Sequence, residues 1–342
     1  MSMSMPQSKC ERLQGGFTLV ELMVAMLISL LLMGGVIQVF SSSSKSYRNH
    51  EGLSRIQENG RFAMEFLTRD IRMADFWGCA NTVSKVANNL DPLNGGTNWQ
   101  YDIGTGGVGG TDGGGNAPDT ITMRGAVGSA LGVQPPFGPQ ASSNLKVPPN
   151  NGLAQGDVII VSDCEAADVL QLTNSNPGGT GTLVHNTGSG ETPGNYNATN
   201  PGCPGANAHC LSKVYGDDAQ IFRLRSAVYS IATNGVTGQP GLYRDLGTGP
   251  QELVDGIANM QVLYGEDTDA DGTANYYVPA GSVADMENVV SLKISLLVQS
   301  YEDNLTDTRM MITYNNQPPA QAGDNRLYQV FNSTVTVRNR VQ

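Results

Sequence analysis

Three aspartates at alternate positions form the group in this sequence that most resembles a metal site. Asp267, Asp269 and Asp271 are followed by Gly272, which matches the first half of the calcium-loop pattern D-x-D-x-D-G. Carboxylates at this spacing converge, and the glycine permits a sharp turn between them. The twelfth position of the pattern, which should be a bidentate glutamate, holds Val278. We therefore expect either a weak Ca²⁺ site that stiffens an exposed loop or, without an ion, an acidic and solvated β-turn.

The histidines give little support to catalysis or to a zinc site. His209 is next to Cys210, and together with His185 and Cys203 these residues could be considered as zinc ligands. Exported cysteines seven residues apart are, however, more typical of a disulfide. The sequence contains no G-x-S-x-G, no H-E-x-x-H and no kinase-like set of motifs. We expect a protein that is not an enzyme and that has no cofactor besides the Ca²⁺ considered above.

The cysteines indicate an exported protein. Cys10 falls in a short polar leader, so four cysteines remain in the rest of the chain: Cys79, Cys164, Cys203 and Cys210. In an oxidising compartment this even number predicts two disulfides. The sequence alone does not choose among the three pairings that four cysteines allow. We favour Cys203 with Cys210, because that pair closes a short loop, and consequently Cys79 with Cys164.

One carboxylate lies inside a long apolar stretch near the N-terminus. From Phe17 to Phe40 the sequence is almost wholly apolar, and Glu21 is its one ionisable residue. About twenty apolar residues is the length that a helix needs to cross a bilayer. A carboxylate in such a segment is costly and is by default a functional group. We therefore predict a transmembrane helix at 17–40 with a functional acid near its start.

The residues before the apolar stretch distinguish it from an ordinary secretory signal. The leader 1–16 ends in Gly15-Gly16, and no small-residue cleavage site follows Phe40. The run G-F-T-L-V-E resembles the class III signal of type IV pilins and pseudopilins. That resemblance implies that prepilin peptidase cuts after Gly16 and that Phe17 becomes a methylated N-terminus. It also assigns Glu21 to subunit assembly, in which the freed amine of a neighbouring subunit supplies the cation that a carboxylate in lipid requires.

The helix is expected to continue beyond the apolar stretch. Apolar residues recur at steps of three or four from Leu53 to Ala74, with arginines and glutamates between them, which indicates an amphipathic helix that packs on a globular domain. Gly34-Gly35 are positions where the helix could bend or unwind. We predict one long helix over 17–76, which ends near Trp77-Gly78, and a separate head domain over 77–342.

The head is predicted to be rich in strands and loops. Strands are expected at 119–124, 157–173, 219–233, 289–300 and 326–340, with an amphipathic segment at 252–267. Three stretches read as loops: 94–117, which is glycine-rich and predicted to be flexible, 132–152 and 174–210. The fold class is therefore α+β, with a long N-terminal helix on a β-rich head. The net charge of −11 argues against nucleic acid as a partner.

Later parts of the sequence carry a closer resemblance. The runs SRIQENGRFAMEFLTRDIRMADFWGC at 54–79, GDVIIVSDCEAADVLQLT at 156–173 and VFNSTVTVRNR at 330–340 resemble the PilW family of minor type IV pilins. The family implies a low-abundance subunit that acts with other minor pilins, the major pilin and a large tip adhesin to begin pilus assembly. It also implies roles in twitching motility and adhesion.

The predicted location follows from this resemblance. The chain would lie in the inner membrane with a periplasmic head before assembly, and in the pilus at the cell surface afterwards. Two other functions share the same N-terminal features. One is a minor pseudopilin of a type II secretion system, and the other is a membrane-anchored adhesin or binding module whose loops at 94–117 or 174–210 bind a ligand.

Overall fold

A computed structural model describes residues 18–80, 82–95, 98–138, 144–187, 190–196, 210–314 and 318–341. The chain divides into two compact units, residues 1–51 and 52–342. Helix α1, Leu19–Met73, supplies the described part of the first unit and the start of the second. The helix is continuous through Gly34-Gly35, where the sequence had allowed a bend.

Helix α1 ends three residues before the predicted boundary. Asp75 adopts a left-handed backbone conformation with φ of 61°, which a continuing helix does not permit. The Asp75 N–H donates to the carbonyl of Arg124 at 2.9 Å instead of to the preceding helical turn. The predicted long helix is therefore present and ends at Met73 rather than at residue 76, because a contact distant in sequence redirects the chain there.

The second unit contains two main sheets. The described strands are β1 (Val86–Asn88), β2 (Val108–Thr111), β3 (Thr120–Gly132), β4 (Asn144–Lys146), β5 (Val158–Ser162), β6 (Ala167–Gln171), β7 (Thr182–Val184), β8 (Gln220–Thr233), β9 (Pro240–Asp245), β10 (Pro250–Asp255), β11 (Ile257–Glu266), β12 (Tyr276–Val278), β13 (Val289–Gln299), β14 (Met311–Ile312), β15 (Ala320–Gln321) and β16 (Tyr328–Thr336). A short helix α2, Pro177–Thr180, precedes β7.

The larger sheet has the order β1-β6-β5-β8-β3-β2, and β9 and β10 extend it from β8. Its pairs are antiparallel except for β1 with β6. The smaller sheet has the antiparallel order β12-β11-β13-β16, so β16 is an edge strand. Two further pairs form outside these sheets, β4 with β7 and β14 with β15.

The part of α1 from Gly52 to Met73, here called its head-side half, packs into the core between the sheets. Its buried residues recur every three or four positions: Ile56, Gly60, Ala63, Leu67, Asp70 and Ile71. They contact apolar residues of both main sheets, including Tyr229 of β8 and Leu292 of β13. The predicted amphipathic stripe is confirmed here, because the 3.6-residue period of the helix places these residues on one face.

Polar contacts fix the helix to the larger sheet. Asp70 is buried and its carboxylate accepts a hydrogen bond from the Tyr229 hydroxyl at 2.7 Å. The Arg225 guanidinium lies 2.8 Å from the same carboxylate oxygen. Because a buried carboxylate needs such partners, these contacts set the register of α1 on β8.

The predicted strands are largely present, but the predicted loops contain more structure than expected. The glycine-rich stretch 94–117 contains β2, which pairs with β3, so its prediction as a flexible loop is wrong for 108–111. The stretches 132–152 and 174–210 contain β4 and β7, which pair with each other. The amphipathic segment at 252–267 forms most of β10 and all of β11.

Glycine makes β2 possible through close packing rather than through flexibility. A Cβ atom at Gly110 would overlap the Thr120 carbonyl and the Tyr264 hydroxyl, and a Cβ atom at Gly107 would overlap the backbone of Asp75. Strand propensity is low for a glycine-rich run such as VGGT, so tertiary contacts decide its conformation.

Candidate functional site

The described part of the N-terminal region begins at Thr18, which caps helix α1. The Thr18 N–H and the Thr18 hydroxyl both donate to Glu21 Oε2 at 3.0 Å, and the Glu21 N–H donates to Thr18 Oγ1 at 3.2 Å. This reciprocal arrangement is a capping box, which satisfies helix N–H groups that have no partner within the helix. The sequence signal T-x-x-E was present in T-L-V-E, and the sequence analysis assigned Glu21 a role in assembly alone.

Glu21 keeps capacity for a second partner. The two bonds that it accepts from Thr18 both use Oε2, and Oε1 accepts no hydrogen bond from the described residues. The side chain is exposed within the single chain. Glu21 can therefore cap its own helix and accept a bond from another molecule at the same time. Gly16 and Phe17 lie outside the described residues, so the processing site stays a prediction.

The N-terminal half of α1, up to residue 44, presents a mostly apolar surface. Every residue from 18 to 44 is exposed within the chain. The large apolar side chains among them include Leu22, Leu27, Leu30, Leu31 and Phe40. Among the described helices, α1 is the one long and apolar enough to cross a membrane. Such a surface requires lipid or other apolar helices as its surroundings.

One predicted disulfide is confirmed and the other lies partly outside the described residues. Cys79 and Cys164 are bonded, which joins the segment after α1 to the turn between β5 and β6. Cys210 is buried and disulfide-bonded. Its predicted partner Cys203 lies outside the described residues, so that pairing stays a prediction. The confirmed bond joins cysteines that are 85 residues apart in the sequence.

The three aspartates predicted to bind Ca²⁺ do come together. Ligand oxygens of Asp267, Asp269 and Asp271 lie within 4.8 Å of one another, and Asp267 is buried while the other two are exposed. Asp267 Oδ2 accepts the Gly272 N–H at 2.7 Å, and Oδ1 accepts the N–H groups of Asp269 and Asp271 at 3.3 Å.

The turn is thus held by the backbone N–H groups that Asp267 accepts. Burial raises the pKa of Asp267, but hydrogen bonds to its carboxylate lower it by more, first that from the Gly272 N–H and then that from the Asp269 side chain, so that the pKa lies below its usual value. Val278, at the twelfth position of the calcium pattern, lies in β12 and cannot replace the missing glutamate. Calcium binding stays a prediction of the sequence.

Glu266, next to this turn, was missed by sequence reasoning. It is buried at the end of β11, and its carboxylate accepts the Ala284 N–H at 3.0 Å and the Asp285 N–H at 2.9 Å. Burial raises its pKa, but the N–H groups of Asp285 and Ala284 and the Tyr276 hydroxyl lower the pKa below its usual value. Glu266 therefore ties the segment before β13 to the end of β11.

The buried carboxylate of Asp75 joins the end of α1 to the C-terminal part of the chain. Arg340 Nε donates to Asp75 Oδ2 at 2.6 Å, and both side chains are at most 6% exposed. Asp75 Oδ1 accepts the Gly107 N–H at 2.5 Å and the Trp77 indole N–H at 2.9 Å. Arg340 Nη1 also donates to the carbonyl of Val289 at 2.9 Å. Sequence reasoning missed this pair because its members are 265 residues apart.

Two family models match the chain. The model described as type IV pilus-assembly protein W, or PilW, matches residues 228–339, and the model described as the prokaryotic N-terminal methylation motif matches residues 12–37. The first match begins within β8 and runs through β16. The second covers Gly16, Phe17 and Glu21.

The chain is also similar to a curated protein and, more distantly, to a solved structure. The chain is 35% identical over 82 residues to the pilin-like protein PilA3 of Thermus thermophilus, an alignment that covers 23% of this chain and 35% of PilA3. The chain thus spans about a third of the length of the curated relative that it matches. A solved type IV-like pilin from Thermus thermophilus is 10% identical, with coverage of 84% of this chain and 98% of that one and a TM-score of 0.33.

Proposed function

We propose that this chain, a type IV pilin-like protein with an N-terminal methylation motif and a PilW domain, is a minor pilin that helps to begin pilus assembly. Prepilin peptidase would cut after Gly16, and Phe17 would become the methylated N-terminus. The chain would wait in the inner membrane with its head in the periplasm. It would then join the major pilin and other minor pilins in the filament, at or near the tip and in contact with a large adhesin.

The observation that carries this proposal is the exposed apolar half of α1 with one acid at its start. Every residue from 18 to 44 is exposed, so the part of the chain that the structure describes provides no cover for this surface. A single membrane anchor needs no carboxylate at this depth, because lipid disfavours one. A helix that packs among identical or related helices can pair the carboxylate with an amine of its neighbour. The unoccupied Oε1 of Glu21 fits that role.

The position of the family-model matches favours a pilus role over a type II secretion pseudopilin and over a membrane-anchored adhesin or binding module. The PilW model matches the head, at 228–339, and not the N-terminal signal that pilins and pseudopilins share. Motility and adhesion follow from incorporation into a pilus and are part of the same proposal.

The test begins with intact-mass measurement and N-terminal sequencing of the full chain from native membranes. We expect a mature chain that begins with methylated Phe17. Glu21→Ala should still be processed, and its amount in sheared pili should fall at least tenfold. A tenfold change corresponds to about 1.4 kcal/mol, and removal of one partner of a buried ion pair costs more than that. Glu58→Ala, which removes an exposed acid from the head-side half of α1, is the matched control and should be incorporated normally.

An uncut chain that keeps residues 1–16 would contradict the proposal and would make the protein a plain membrane-anchored one. Normal incorporation of Glu21→Ala would contradict the assigned role of Glu21 while leaving the processing step intact.

A further inference from the structure

An open groove beside α1 concentrates positive charge on an acidic protein. Arg61, Arg69 and Arg72 of α1 and Arg338, which follows β16, line this groove, which has a volume of about 800 Å³. We call it the arginine groove. One acid, Glu65, lies among its lining residues, whereas the whole chain has a net charge of −11.

The arginines of this groove differ from the paired arginines of the head. Arg223, Arg225, Arg326 and Arg340 each form an ion pair with an aspartate. Arg61, Arg69, Arg72 and Arg338 are exposed, and none of them has a hydrogen-bond or ion-pair partner within the described parts of the chain. Four like charges that line one groove repel one another, so the groove is electrostatically more favourable when anions occupy it.

The floor of the arginine groove is apolar. Met64 and Phe331 are partly buried, and Met73 is half-exposed. Phe331 of β16 packs directly on the helix, because a Cβ atom at Gly60 would overlap its ring. Methionine and aromatic side chains surrounded by a charged rim are typical of protein-binding surfaces, since they adapt to apolar side chains of a partner.

We propose that the arginine groove docks an acidic segment of a neighbouring protein subunit. Carboxylates of that segment would pair with the guanidinium groups, which bind carboxylates through two parallel N–H donors. Its apolar side chains would cover Met64, Met73 and Phe331. That this neighbour is another pilus subunit rests on the proposed function, whereas the charge and shape of the groove do not.

The length of the row of charges favours a polypeptide. Arg61 and Arg72 are eleven residues apart on α1, which is about 16 Å at 1.5 Å per residue. An extended segment of about five residues covers that distance. An acidic peptide can therefore present carboxylates along the whole row while its apolar side chains contact the floor between them.

The test converts the docking contact into a covalent bond. Arg69→Lys/Arg72→Lys keeps both charges and supplies amines, and a water-soluble carbodiimide joins an amine to a carboxylate only when the two are in contact. Full-length protein in native membranes and in sheared pili is treated, and mass spectrometry locates the cross-linked residues. We expect an amine introduced at position 69 or 72 to be joined to an aspartate or glutamate of another subunit. Arg309→Lys, at an exposed arginine outside the groove, is the matched control and should give no such product.

Charge reversal supplies the quantitative readout. Arg69→Glu/Arg72→Glu should reduce the amount of the chain in sheared pili at least tenfold, because the reversed charges would repel the carboxylates of the docked segment. Arg309→Glu should have no effect. Both variants change exposed residues, so thermal unfolding of each purified full-length chain should match that of the parent.

Three outcomes would overturn the proposal: cross-links confined to the same chain, equal products from the Arg309→Lys control, or normal incorporation of the charge-reversed variant. A lipid in the groove would give a fourth. In that case anionic phosphatidylglycerol in detergent micelles would protect the groove arginines from phenylglyoxal, and assembly into pili would add no further protection.

These outcomes are separable from failure of the proposed function. If the chain is never found in pili but the cross-link to another protein forms in membranes, the docking groove stands and the pilus role fails. If Glu21→Ala abolishes incorporation and the groove variants do not, the pilus role stands and the docking groove fails.

Discussion

The two halves of helix α1 depend on different surroundings. From residue 18 to residue 44 every side chain is exposed within the chain, although most are apolar. From Gly52 to Met73 the helix buries one stripe of side chains against both main sheets. Backbone conformation is the same in both halves, but the interactions that favour it are not.

This difference separates folding from assembly. The head-side half gains its free energy from contacts inside the chain, so changes there should alter the unfolding of the head. The N-terminal half has its apolar surface available to lipid and to other helices. Changes there should alter insertion or incorporation and leave unfolding of the head unchanged. Each prediction below pairs a residue of one region with its counterpart in the other, where the chain offers one.

The largest effect is expected at the buried ion pair that follows α1. Asp75→Ala leaves the Arg340 guanidinium buried without its carboxylate and removes the acceptor for Gly107 and Trp77. Loss of one partner of a buried pair costs about 3–5 kcal/mol. We expect the free energy of unfolding of the full chain in detergent, measured with denaturant, to fall by that amount.

The control for Asp75 is an acid of α1 that is exposed. Glu58→Ala should change the free energy of unfolding by less than about 0.5 kcal/mol, as is typical of surface substitutions. Equal losses in the two variants would mean that the Asp75–Arg340 pair does not hold the end of the helix.

A pair of leucines gives the sharpest comparison of the two halves. Leu67 is fully buried and Leu30 is 72% exposed. Leu67→Ala removes packed atoms from the core and should lower the free energy of unfolding by about 2–5 kcal/mol. Leu30→Ala should leave denaturant unfolding of the head unchanged. Destabilisation of the head by Leu30→Ala would contradict the division between the two halves.

The sequence predicted those features that depend on short-range patterns. The 3.6-residue period of apolar residues predicted the buried face of α1, and the apolar runs on either side of Cys164 predicted β5 and β6. The disulfide of Cys79 with Cys164 followed from the short spacing of the other two cysteines. For the same reason the capping box of Thr18 and Glu21 was within reach of the sequence, since its signal spans four residues.

Long-range contacts account for what the sequence did not predict. Nothing local marks Asp75 and Arg340 as partners, because only the folded chain brings them together. Strand β2 has the composition of a loop, and its conformation depends on the fit of Gly110 against Tyr264. The arginine groove combines the exposed side of α1 with β16, and a charged helix face alone is more often merely solvated.

A pair of glycines tests close packing in the same way. A methyl group at Gly60 would overlap the Phe331 ring, whereas a methyl group at Gly34 would meet no other described residue within 4 Å beyond the adjacent turns of its own helix. Overpacking costs about 1–3 kcal/mol, and the better helix propensity of alanine offsets about 1 kcal/mol. We therefore expect Gly60→Ala to lower the free energy of unfolding by at most about 2 kcal/mol and Gly34→Ala to leave head unfolding unchanged.

The combined variant Gly60→Ala/Phe331→Leu checks the mechanism, because a smaller side chain at 331 leaves room for the methyl group. We expect the double variant to be no less stable than Phe331→Leu alone, because the cost of Gly60→Ala should disappear with the ring. A cost that persists without the ring would place the strain elsewhere on the helix.

The smallest effect is expected from a pair of glutamates that accept backbone hydrogen bonds in the two regions. Glu266 accepts hydrogen bonds from the N–H groups of Ala284 and Asp285, and these bonds lower its pKa below the usual value of 4.5 despite its burial.

A lowered pKa in the folded state means that ionised Glu266 stabilises the fold above pH 4.5. This contribution is lost as the pH falls through the folded-state pKa. Glu266→Gln should therefore be less stable than the parent at pH 7, and the difference in Tm between the two should shrink as the pH falls below 4.5. Glu21→Gln should follow the parent at every pH in the same measurement, because Glu21 and its partner Thr18 lie in the stretch 18–44, which buries no side chain against the described residues. A Tm difference for Glu266→Gln that stays constant with pH would show that the side chain acts through its shape and not through its charge.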